Sequence, residues 1–392
     1  MNAGVKVAAA QTASLRLNLG AGVHPIEGYR NLDGKTGDVL FPLPFPDGSA
    51  SEIRASHVLE HFSHSQIPDV LRDWVRVLAY DGVLKIAVPD FEKIAERYLR
   101  GEMGEWQGYI MGGHVDEADH HGAIFDTGTL TEALKAAGLR QIEPWQSTIQ
   151  DCASLPISLN LQGVKALNVV AVMTVPRLGF MDNFFCAFHA LPPLGIPIMR
   201  HGGAFWGQGL EKAINLALPK NPDAILTIDY DTVFKGDDIT ALIALMKAHP
   251  DIDALAPIQQ ARGWTGPLMG FRNQSGERVR QIDRNLLEAE TLRVATAHFG
   301  CTLIRTSSLL ATPRPWFKGE PAADGTWGEG HIDDDIWFWR QWEKADLHLA
   351  IAPRVVVGHG EFMIRWPDEN FQTIYQHPNE FTEGGRPADV WK

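Results

Sequence analysis

The chain has 392 residues, of which 45% are apolar and 21% charged, and its formal net charge is −13 at pH 7. This length exceeds what one hydrophobic core usually supports, so we expect two domains, and the apolar fraction excludes a mainly disordered chain. The negative charge leaves no basic face for a phosphate backbone, so nucleic acid is not expected as a partner.

The cysteine content and the apolar runs indicate the compartment of the protein and whether it spans a membrane. Cys152, Cys186 and Cys301 are too few and too scattered for a disulfide framework or a zinc cluster. The amino-terminal stretch lacks a signal-peptide core, and the longest apolar run, residues 164–175, is shorter than a membrane span. We therefore expect a cytoplasmic protein with no membrane span, whose oligomeric state the sequence does not predict.

The first half alternates short strands with helices. The predicted strands include LRLNLG, which ends in a glycine turn, GYRNLD and GVLKIAVP, and the amphipathic segment IPDVLRDWVRVL predicts a helix. LTEALKAAGL predicts another helix, closed by Gly138. The periodic pattern lapses in WQSTIQDCASLPISLNLQGVK, which places the domain boundary near residue 160, with domains at 1–160 and 166–392.

The second half begins a new alternation. NVVAVMTV, AILTIDYD and DALAPI predict strands, and helices are predicted around LEKAINLAL and ITALIALMKAHP. Alternation of this kind indicates a mainly parallel sheet covered by helices. The expected fold class is therefore α/β with two domains, an N-terminal Rossmann-like sheet and a C-terminal mixed sheet with helices on both faces.

The glycine turn near residue 20 suits a nucleotide-like cofactor. In a doubly wound sheet, ligands collect at the carboxyl ends of the strands, where glycine lets the backbone approach and an acid binds a ribose. Gly20 and Gly22 fit the first role and Asp33 the second. The alternative is a common strand-turn motif followed by a solvated aspartate.

The motifs of the first half follow one another in a familiar order. The succession LNLGAG, GYRNLD, PLPFPDGSASEIRASHVLEHF and VRVLAYDGVLKIAVPDF resembles class I S-adenosylmethionine-dependent methyltransferases, in particular a compact subgroup, over residues 15–165. The resemblance implies S-adenosylmethionine as cofactor. It places the methionine part at Gly20, Ala21 and Gly22, the ribose at Asp33, the adenine at Asp38 to Leu43, and the pocket floor at Ser56 and His57. Only eight residues separate Gly22 from Asn31, too few for the usual crossover helix, as in the compact subgroup.

A histidine-rich segment, GGHVDEADHHGAIFD, holds His114, His120 and His121 among four acids. Methyl transfer to oxygen needs a base within hydrogen-bond reach, and histidine titrates near neutral pH. The same residues could instead bind a metal or form a solvated loop. The methyltransferase resemblance implies an acceptor-facing histidine at His121, the candidate catalytic base, whereas His61 is expected to pack or to cap a helix.

Two carboxylates follow a predicted strand in the second half. Asp229 and Asp231 point to the same side of an extended chain because side chains alternate with period two. Mg²⁺ and Mn²⁺ commonly bind through one or two carboxylates plus substrate phosphates. A lone DxD triplet is common by chance, but one that directly follows an apolar strand is much rarer. We expect a divalent cation on a diphosphate here.

Residues 167–365 resemble the GT-A-fold glycosyltransferases, including the inverting family 2. The resemblance implies a GT-A sheet, a nucleotide-sugar donor and Mn²⁺ or Mg²⁺. It places nucleotide contacts at Thr174, Pro176, Arg177 and Asp229, and metal ligands at Asp229, Asp231 and His359. HIDDDIWFWRQW resembles the acidic helix-start motif of the fold, with Asp334 and Asp335 at its two positions.

An inverting transfer needs a carboxylate that deprotonates the acceptor hydroxyl, and Asp335 is the candidate base. The alternative is that the aspartates at this helix start serve only as caps. His359 could likewise be structural, because an isolated histidine after a strand often is. Most tryptophans are expected to pack the core, with Trp264 and Trp327 as the candidate acceptor contacts.

Together these patterns predict a bifunctional transferase. The first half would methylate a hydroxyl of a glycan or small acceptor, and the second would transfer a sugar from a nucleotide donor. One alternative is an active glycosyltransferase with a non-catalytic, methyltransferase-like binding domain. Another, from a different class, is a carbohydrate-binding protein without catalysis.

Overall fold

The computed structural model describes residues 15–102, 104, 106–115, 119–176, 179–261, 266–272, 278–279 and 284–391. The chain divides into two compact units, Met1–Ala166 and Leu167–Lys392, called unit 1 and unit 2 below. The predicted end of the first domain, residue 160, falls inside a strand of unit 1. Ser158–Lys165 forms a strand that pairs on both sides within the sheet of unit 1.

Unit 1 contains one mixed sheet with helices. Its strands are β1 (Leu15–Leu19), β2 (Arg30–Leu32), β3 (Ala50–Ser56), β4 (Leu78–Pro89), β5 (Leu139–Pro144) and β6 (Ser158–Lys165). Its helices are α1 (Ile67–Val77), α2 (Phe91–Leu99), α3 (Trp106–Met111) and α4 (Thr127–Ala136). A short 3-10 turn, Leu59–His61, follows β3.

The strand order of unit 1 is β2-β1-β3-β4-β6-β5. The strands β1 to β4 are mutually parallel, and β6 is antiparallel to both β4 and β5. From β1 the chain crosses to β2 on one side and then returns to β3 on the other side. The carboxyl ends of β1 and β3 therefore border a topological switch point, where doubly wound sheets bind ligands.

The core of unit 1 lies between this sheet and its helices. Helix α1 turns Val70, Leu71 and Trp74 inward, and all three side chains are fully buried. The indole N–H of Trp74 donates to the carbonyl oxygen of Leu40 at 2.8 Å, so the aromatic ring is buried without losing its polar partner. The helix thereby fixes the loop that precedes β3.

Unit 2 contains a larger sheet and two small ones. Its strands are β7 (Val169–Val175), β8 (Ile198–Gly202), β9 (Ala224–Ile228), β10 (Thr232–Val233), β11 (Ala254–Gln259), β12 (Met269–Arg272), β13 (Arg278–Val279), β14 (Leu292–Arg293), β15 (Thr296–Ala297), β16 (Leu303–Arg305), β17 (Leu349–His359), β18 (Ile364–Pro367) and β19 (Thr373–Gln376). Its helices are α5 (Met181–Ala190), α6 (Trp206–Ala217), α7 (Gly236–Ala248), α8 (Thr306–Ala311), α9 (Asp334–Lys344) and α10 (Pro378–Gly384).

The main sheet of unit 2 has the order β10-β17-β11-β16-β9-β7-β8, and β14 also pairs with β17. The strands β8, β7, β9, β11 and β17 share one direction, because only β16, between β9 and β11, runs against its neighbours in this set. The carboxyl ends of β7, β9 and β17 therefore lie along one edge. The predicted α/β class, with a mixed sheet in the second half, is confirmed.

Helix α9 is anchored by aromatic side chains. Phe338, Trp339 and Trp342 are fully buried, and the indole of Trp339 donates to the carbonyl oxygen of Ala297 at 2.5 Å. Trp316 is also buried, as expected for most tryptophans, whereas Trp327 remains 64% exposed.

Within the described ranges, every helix falls short of the length and apolar character that a membrane span requires.

We predict that Gly20→Ala destabilises the protein more than Gly22→Ala. Both glycines have a positive φ, of +66° and +50°, which costs another residue about 1–2 kcal/mol. At Gly20 the added Cβ would also lie 2.3 Å from Cγ2 of Val58, whereas at Gly22 no atom lies within 4 Å. Overpacking adds about 1–3 kcal/mol at Gly20 alone. Urea unfolding measures both losses, and equal losses would contradict the packing at Val58.

Candidate active sites of the two units

The carboxyl edge of the unit 2 sheet gathers acidic side chains. Asp231, three residues beyond the end of β9, is 2% exposed, and its Oδ2 lies 3.5 Å from Nε2 of His359 at the end of β17. Asp229, partly buried, accepts a 2.8 Å hydrogen bond at Oδ1 from the indole N–H of Trp206 at the start of α6. Strands far apart in sequence thus place a carboxylate–imidazole pair beside a second carboxylate.

Hydrogen bonds from two other segments hold the backbone of the turn that carries Asp229 and Asp231. The amide of Asn183 on α5 donates to the carbonyl oxygens of Asp229 at 2.8 Å and Thr232 at 2.6 Å. On the other side, the N–H of Gly360 donates to the carbonyl oxygen of Asp231 at 2.6 Å. Because Asn183 is buried, its amide ties α5 to the turn and fixes the directions of both carboxylates.

A buried histidine adds a second support. Burial lowers the pKa of His298 to about 4, so its ring is neutral at pH 7. Nε2–H then donates to the carbonyl oxygen of Pro257 at 2.9 Å, and Nδ1 accepts the N–H of Gly300 at 3.0 Å. The carbonyl oxygen of Gly300 accepts the N–H of Asp229. His298 therefore orders the loop on which Asp229 rests.

Two carboxyl groups at this edge have strongly raised pKa values. Burial, then the neighbouring charges of Asp231 and Asp335, raises the pKa of Asp229 to about 6 against the opposing hydrogen bond from Trp206. Burial also raises the pKa of Asp335 to about 6, although its Oδ1 accepts the N–H of Ile336 at 2.7 Å. The ionised carboxylates at this edge are therefore poorly solvated. Strongly shifted pKa values of this kind are common at functional sites.

The two aspartates at the start of α9 have different surroundings. The carboxylate of Asp334 accepts backbone hydrogen bonds from Gly207 at the start of α6 and from Gly319. Asp335 instead lies close enough to Asp229 for the two charges to repel. The acceptor oxygens of Asp334 thus join two segments of unit 2, and its catalytic role stays a prediction.

The other predicted donor-site residues are distributed unevenly. Thr174 near the end of β7 is buried, and its Cβ and methyl lie against Gly209 of α6. Helix α6 therefore covers the side chain that was predicted to contact the nucleotide. Pro176 is partly buried beyond the strand end. Arg177 and Trp264 lie outside the described residues. The ring of Trp327 lies 6.3 Å from that of His331 in an edge-on arrangement.

The positions of the described residues also bear on the donor set that is predicted for a cation in unit 2. Among the described residues, Asp229 does not form a mutually close group of ligand atoms with Asp231 and His359. Its oxygen is also shared with Trp206. The geometry therefore fits Asp231 and His359 as the protein ligands and leaves Asp229 better suited to a polar group of a bound nucleotide.

Sequence reasoning missed Trp206 and Asn183. Trp206 gives no local signal, because its bond to Asp229 depends on how α6 packs. Asn183 gives a weak one, since it is an amide on the buried face of the mostly apolar segment MDNFFCAFHA. A buried amide without a partner on its own helix predicts a distant backbone partner.

In unit 1, the glycine turn and Asp33 lie side by side. The N–H of Ala21 donates to the carbonyl oxygen of Leu32 at 2.9 Å, which joins the ends of β1 and β2. Oδ1 of Asp33 accepts the N–H of Lys35 at 3.0 Å, and the N–H of Asp33 donates to Oδ2 of Asp38 at 2.8 Å. Asp38 thus closes the turn that carries Asp33.

Ser56 and His57, which are predicted to line the pocket floor, make internal contacts. The hydroxyl of Ser56 accepts the N–H of Ala153 at 3.1 Å and bonds the carboxylate of Asp151. His57 has Nε2 3.0 Å from Oγ of Ser158 and Nδ1 3.3 Å from Oε1 of Glu60. Both side chains hold the end of β3 to neighbouring segments.

The predicted base, His121, lies in a cluster with Glu60 and His61. The two imidazole rings are 5.0 Å apart, and one potential ligand atom from each of the three residues lies within 4.8 Å of the others. Burial lowers the pKa of His121, so the ring is neutral at pH 7. His61, expected only to pack or cap, is part of this cluster, whereas the ring of His114 lies 4.1 Å from that of His120 in a tilted arrangement.

Comparisons with known proteins give matches only to solved structures. No protein-family model matches the chain, and no curated protein is significantly similar to it. A197 from STIV is similar with a TM-score of 0.35 and 14% identity over 54% of this chain and 94% of that chain.

Two further structures carry functional names. A SAM-dependent methyltransferase from Thermotoga maritima, described as a possible histamine N-methyltransferase, has a TM-score of 0.26 and 14% identity over 38% of this chain and 82% of that chain. GalNAc-T7 with UDP, GalNAc and Mn²⁺ has a TM-score of 0.34 and 12% identity over 49% of this chain and 44% of that chain. These similarities are partial, and the residue roles follow from the side-chain geometry.

We predict that Asp335→Asn raises the melting temperature of the metal-free protein at pH 7. The folded pKa of about 6 lies above the ordinary value of 3.8, so this group stabilises the fold at low pH and loses that contribution as pH rises through 6. At pH 7 the ionised carboxylate is destabilising, and the amide removes its charge.

Thermal unfolding at pH 7 and near pH 4 measures the effect, which should shrink at the lower pH. Asp346→Asn is the matched control, because the side chain of Asp346 is fully exposed. An equal shift in both variants, or a lower melting temperature for Asp335→Asn at pH 7, would contradict the burial of this charge.

Proposed function

We propose that this chain is a bifunctional transferase. Unit 2 transfers a sugar from a nucleotide donor in a metal-dependent reaction, and unit 1 transfers a methyl group from S-adenosylmethionine to a glycan or small acceptor hydroxyl. The observation that carries the first part is the Asp231–His359 pair, which lies beside Asp229 and Asp335 at the carboxyl edge of a mainly parallel sheet. A divalent cation offsets this buried negative charge.

The residues of unit 2 suit an inverting displacement. Asp231 and His359 would hold Mn²⁺ or Mg²⁺, which neutralises charge on the departing diphosphate. The acceptor oxygen bonds to the anomeric carbon of the donor sugar while the bond from that carbon to the diphosphate oxygen breaks. The nucleoside diphosphate leaves with the electron pair, and Asp335 accepts the hydroxyl proton. With a pKa of about 6, Asp335 is mostly ionised at neutral pH and can act as this base.

Asp229 has a supporting role in this proposal. Its hydrogen bond from Trp206 fixes the carboxylate at the strand end. The remaining lone pairs of the carboxylate can accept a hydrogen bond from a ribose hydroxyl. Trp327 is exposed and suits stacking on an acceptor sugar ring. The donor sugar, the nucleotide and the acceptor are identified by a thermal-shift screen of nucleotide sugars with and without Mn²⁺.

We predict that Asp231→Ala lowers the Mn²⁺-dependent release of nucleoside diphosphate from the donor by about 100-fold or more. Loss of a metal ligand removes several kcal/mol of charge stabilisation from the transition state. Asp237→Ala is the control, because this aspartate is exposed on the first turn of α7 and should retain full activity. Turnover that persists in Asp231→Ala, or that a chelator leaves unchanged, contradicts the proposal.

Two features of unit 1 support a bound S-adenosylmethionine. The turn at Gly20 and Gly22 borders the switch point between β1 and β3. No atom lies within 4 Å of the position that a Cβ on Gly22 would occupy, so this side of the turn is open. Asp33 stands at the end of the neighbouring strand, where an acid can bind ribose hydroxyls. Both features fit the carboxyl end of a doubly wound sheet as a cofactor site.

A second candidate role for unit 1 is cofactor binding without methyl transfer. The observation that favours it is the position of His121, the predicted acceptor-facing base, which lies in a cluster with Glu60 and His61. Methyl transfer from labelled S-adenosylmethionine to the products of unit 2 separates the two roles. Binding without transfer supports the second candidate.

We predict that Asp33→Asn weakens S-adenosylmethionine binding by about 10- to 100-fold, since a hydrogen bond to a charged group contributes about 1.5–3 kcal/mol. The amide keeps an acceptor for the N–H of Lys35, so the turn is retained. Isothermal titration calorimetry measures the affinity. Asp69→Asn, at an exposed site on α1, is the control. Heat of binding that is absent from the native chain, or identical in both variants, argues against a cofactor at Asp33.

A further inference from the structure

Two segments of unit 1 are joined through their backbones. The carbonyl oxygen of Glu60 accepts the N–H groups of Gly122 at 2.7 Å and Ala123 at 3.1 Å, and the N–H of His64 donates to the carbonyl oxygen of Gly122. A Cβ on Gly122 would lie 2.6 Å from the carbonyl oxygen of Phe62, so only glycine permits this approach. The segments that carry His61 and His121 are therefore held in register before any ligand binds.

Glu60 is a buried carboxylate without hydrogen-bond donors. It is 1% exposed, and in the described part of the chain neither of its oxygens accepts a hydrogen bond. The nearest ionisable group is Nδ1 of His57, 3.3 Å from Oε1. A buried carboxylate normally requires several donors or a cation to offset its lost hydration. With one imidazole contact to offset its charge, this carboxylate suits a bound cation.

The neighbouring imidazoles present suitable lone pairs. Nδ1 of His61 lies 3.1 Å from the carbonyl oxygen of His120, and the proton on Nδ1 that this contact requires leaves Nε2 as an unprotonated acceptor. A backbone carbonyl that fixes the tautomer in this way is typical of metal-binding histidines. His121 is the third member, and the ligand atoms of the three residues lie within 4.8 Å of one another.

We propose that Glu60, His61 and His121 bind a divalent cation of the zinc class. One carboxylate and two imidazoles form the ligand set of open zinc sites, in which the fourth position is left for water or substrate. Two nitrogen ligands favour Zn²⁺, Co²⁺ or Ni²⁺ over Mg²⁺ and Ca²⁺, which prefer oxygen. Under this assignment His121 is a ligand and does not itself accept the acceptor proton.

This site is separate from the cation of unit 2. The donor set of Asp231 and His359 includes one imidazole and depends on phosphate oxygens, whereas the set in unit 1 needs no nucleotide. Metal binding at Glu60 is also independent of methyl transfer, because it is measured without S-adenosylmethionine. Failure of one proposal therefore leaves the other standing.

The test is a Co²⁺ titration of the full chain carrying Asp231→Ala, which removes the competing site in unit 2. We expect one Co²⁺ per chain, with the visible absorption of a low-symmetry nitrogen and oxygen site. His121→Asn and Glu60→Gln should each weaken binding by about 100-fold or more, since the ligands themselves contribute more than the 10- to 100-fold of their outer partners. His114→Asn should bind like the parent, because its ring faces His120 and asparagine tolerates its positive φ.

A second measurement separates lost binding from lost folding. Zn²⁺ should raise the melting temperature of the parent and of His114→Asn and leave that of Glu60→Gln unchanged. The metal-free Glu60→Gln variant should melt at or above the parent, because it removes a buried charge. A Zn²⁺ response retained in Glu60→Gln, equal losses in His114→Asn and His121→Asn, or no Co²⁺ absorption in the parent would overturn the proposal.

Discussion

The arrangement of unit 2 depends on one electrostatic constraint, the burial of several carboxylates at the edge where parallel strands end. Asp229 and Asp231 reach this edge from β9, and α9 brings Asp335 beside them. Burying like charges together is costly, as the raised pKa values of Asp229 and Asp335 record. The surrounding structure resists their separation through the amide of Asn183 and the neutral ring of His298. A fold that holds such a cluster rigidly is prepared for a cation, because no reorganisation is needed when the cation binds.

Unit 1 also buries a carboxylate, but its neighbouring side chains differ from those of unit 2. Glu60 is buried beside imidazoles, whereas the carboxylates of unit 2 have a single imidazole in His359. Nitrogen-rich and oxygen-rich donor sets select different metals. The two proposed sites would therefore prefer different ions. The backbone hydrogen bonds between Glu60 and Gly122 fix the segments of the unit 1 cluster, as the hydrogen bond from Asn183 fixes the Asp229 turn in unit 2.

The sequence predicts most of this architecture and only part of the site. Strand periodicity and the apolar run AILTI correctly predict β9 and the class of both sheets, because burial of a strand is a local property of its residues. Unit 1 extends past the predicted residue 160 to Ala166 because β6 pairs antiparallel within its sheet, and this pairing joins segments that are distant in the chain. The different surroundings of Asp334 and Asp335 could not be predicted, since adjacent residues on a helix face different neighbours only after α6 packs. Trp206 and Glu60 were missed for the same reason, because their contacts join segments that are distant in the chain.

The most direct measurement is the affinity of the full chain for Mn²⁺, determined by calorimetry with and without a nucleoside diphosphate. If Asp231 and His359 hold a cation that also contacts diphosphate, each ligand must strengthen the binding of the other by the same factor. We expect at least about tenfold tighter Mn²⁺ binding when the nucleotide is present, a coupling of about 1.4 kcal/mol. His359→Ala should abolish that coupling. An Mn²⁺ affinity that the nucleotide leaves unchanged would contradict the assignment of this edge as a metal–diphosphate site.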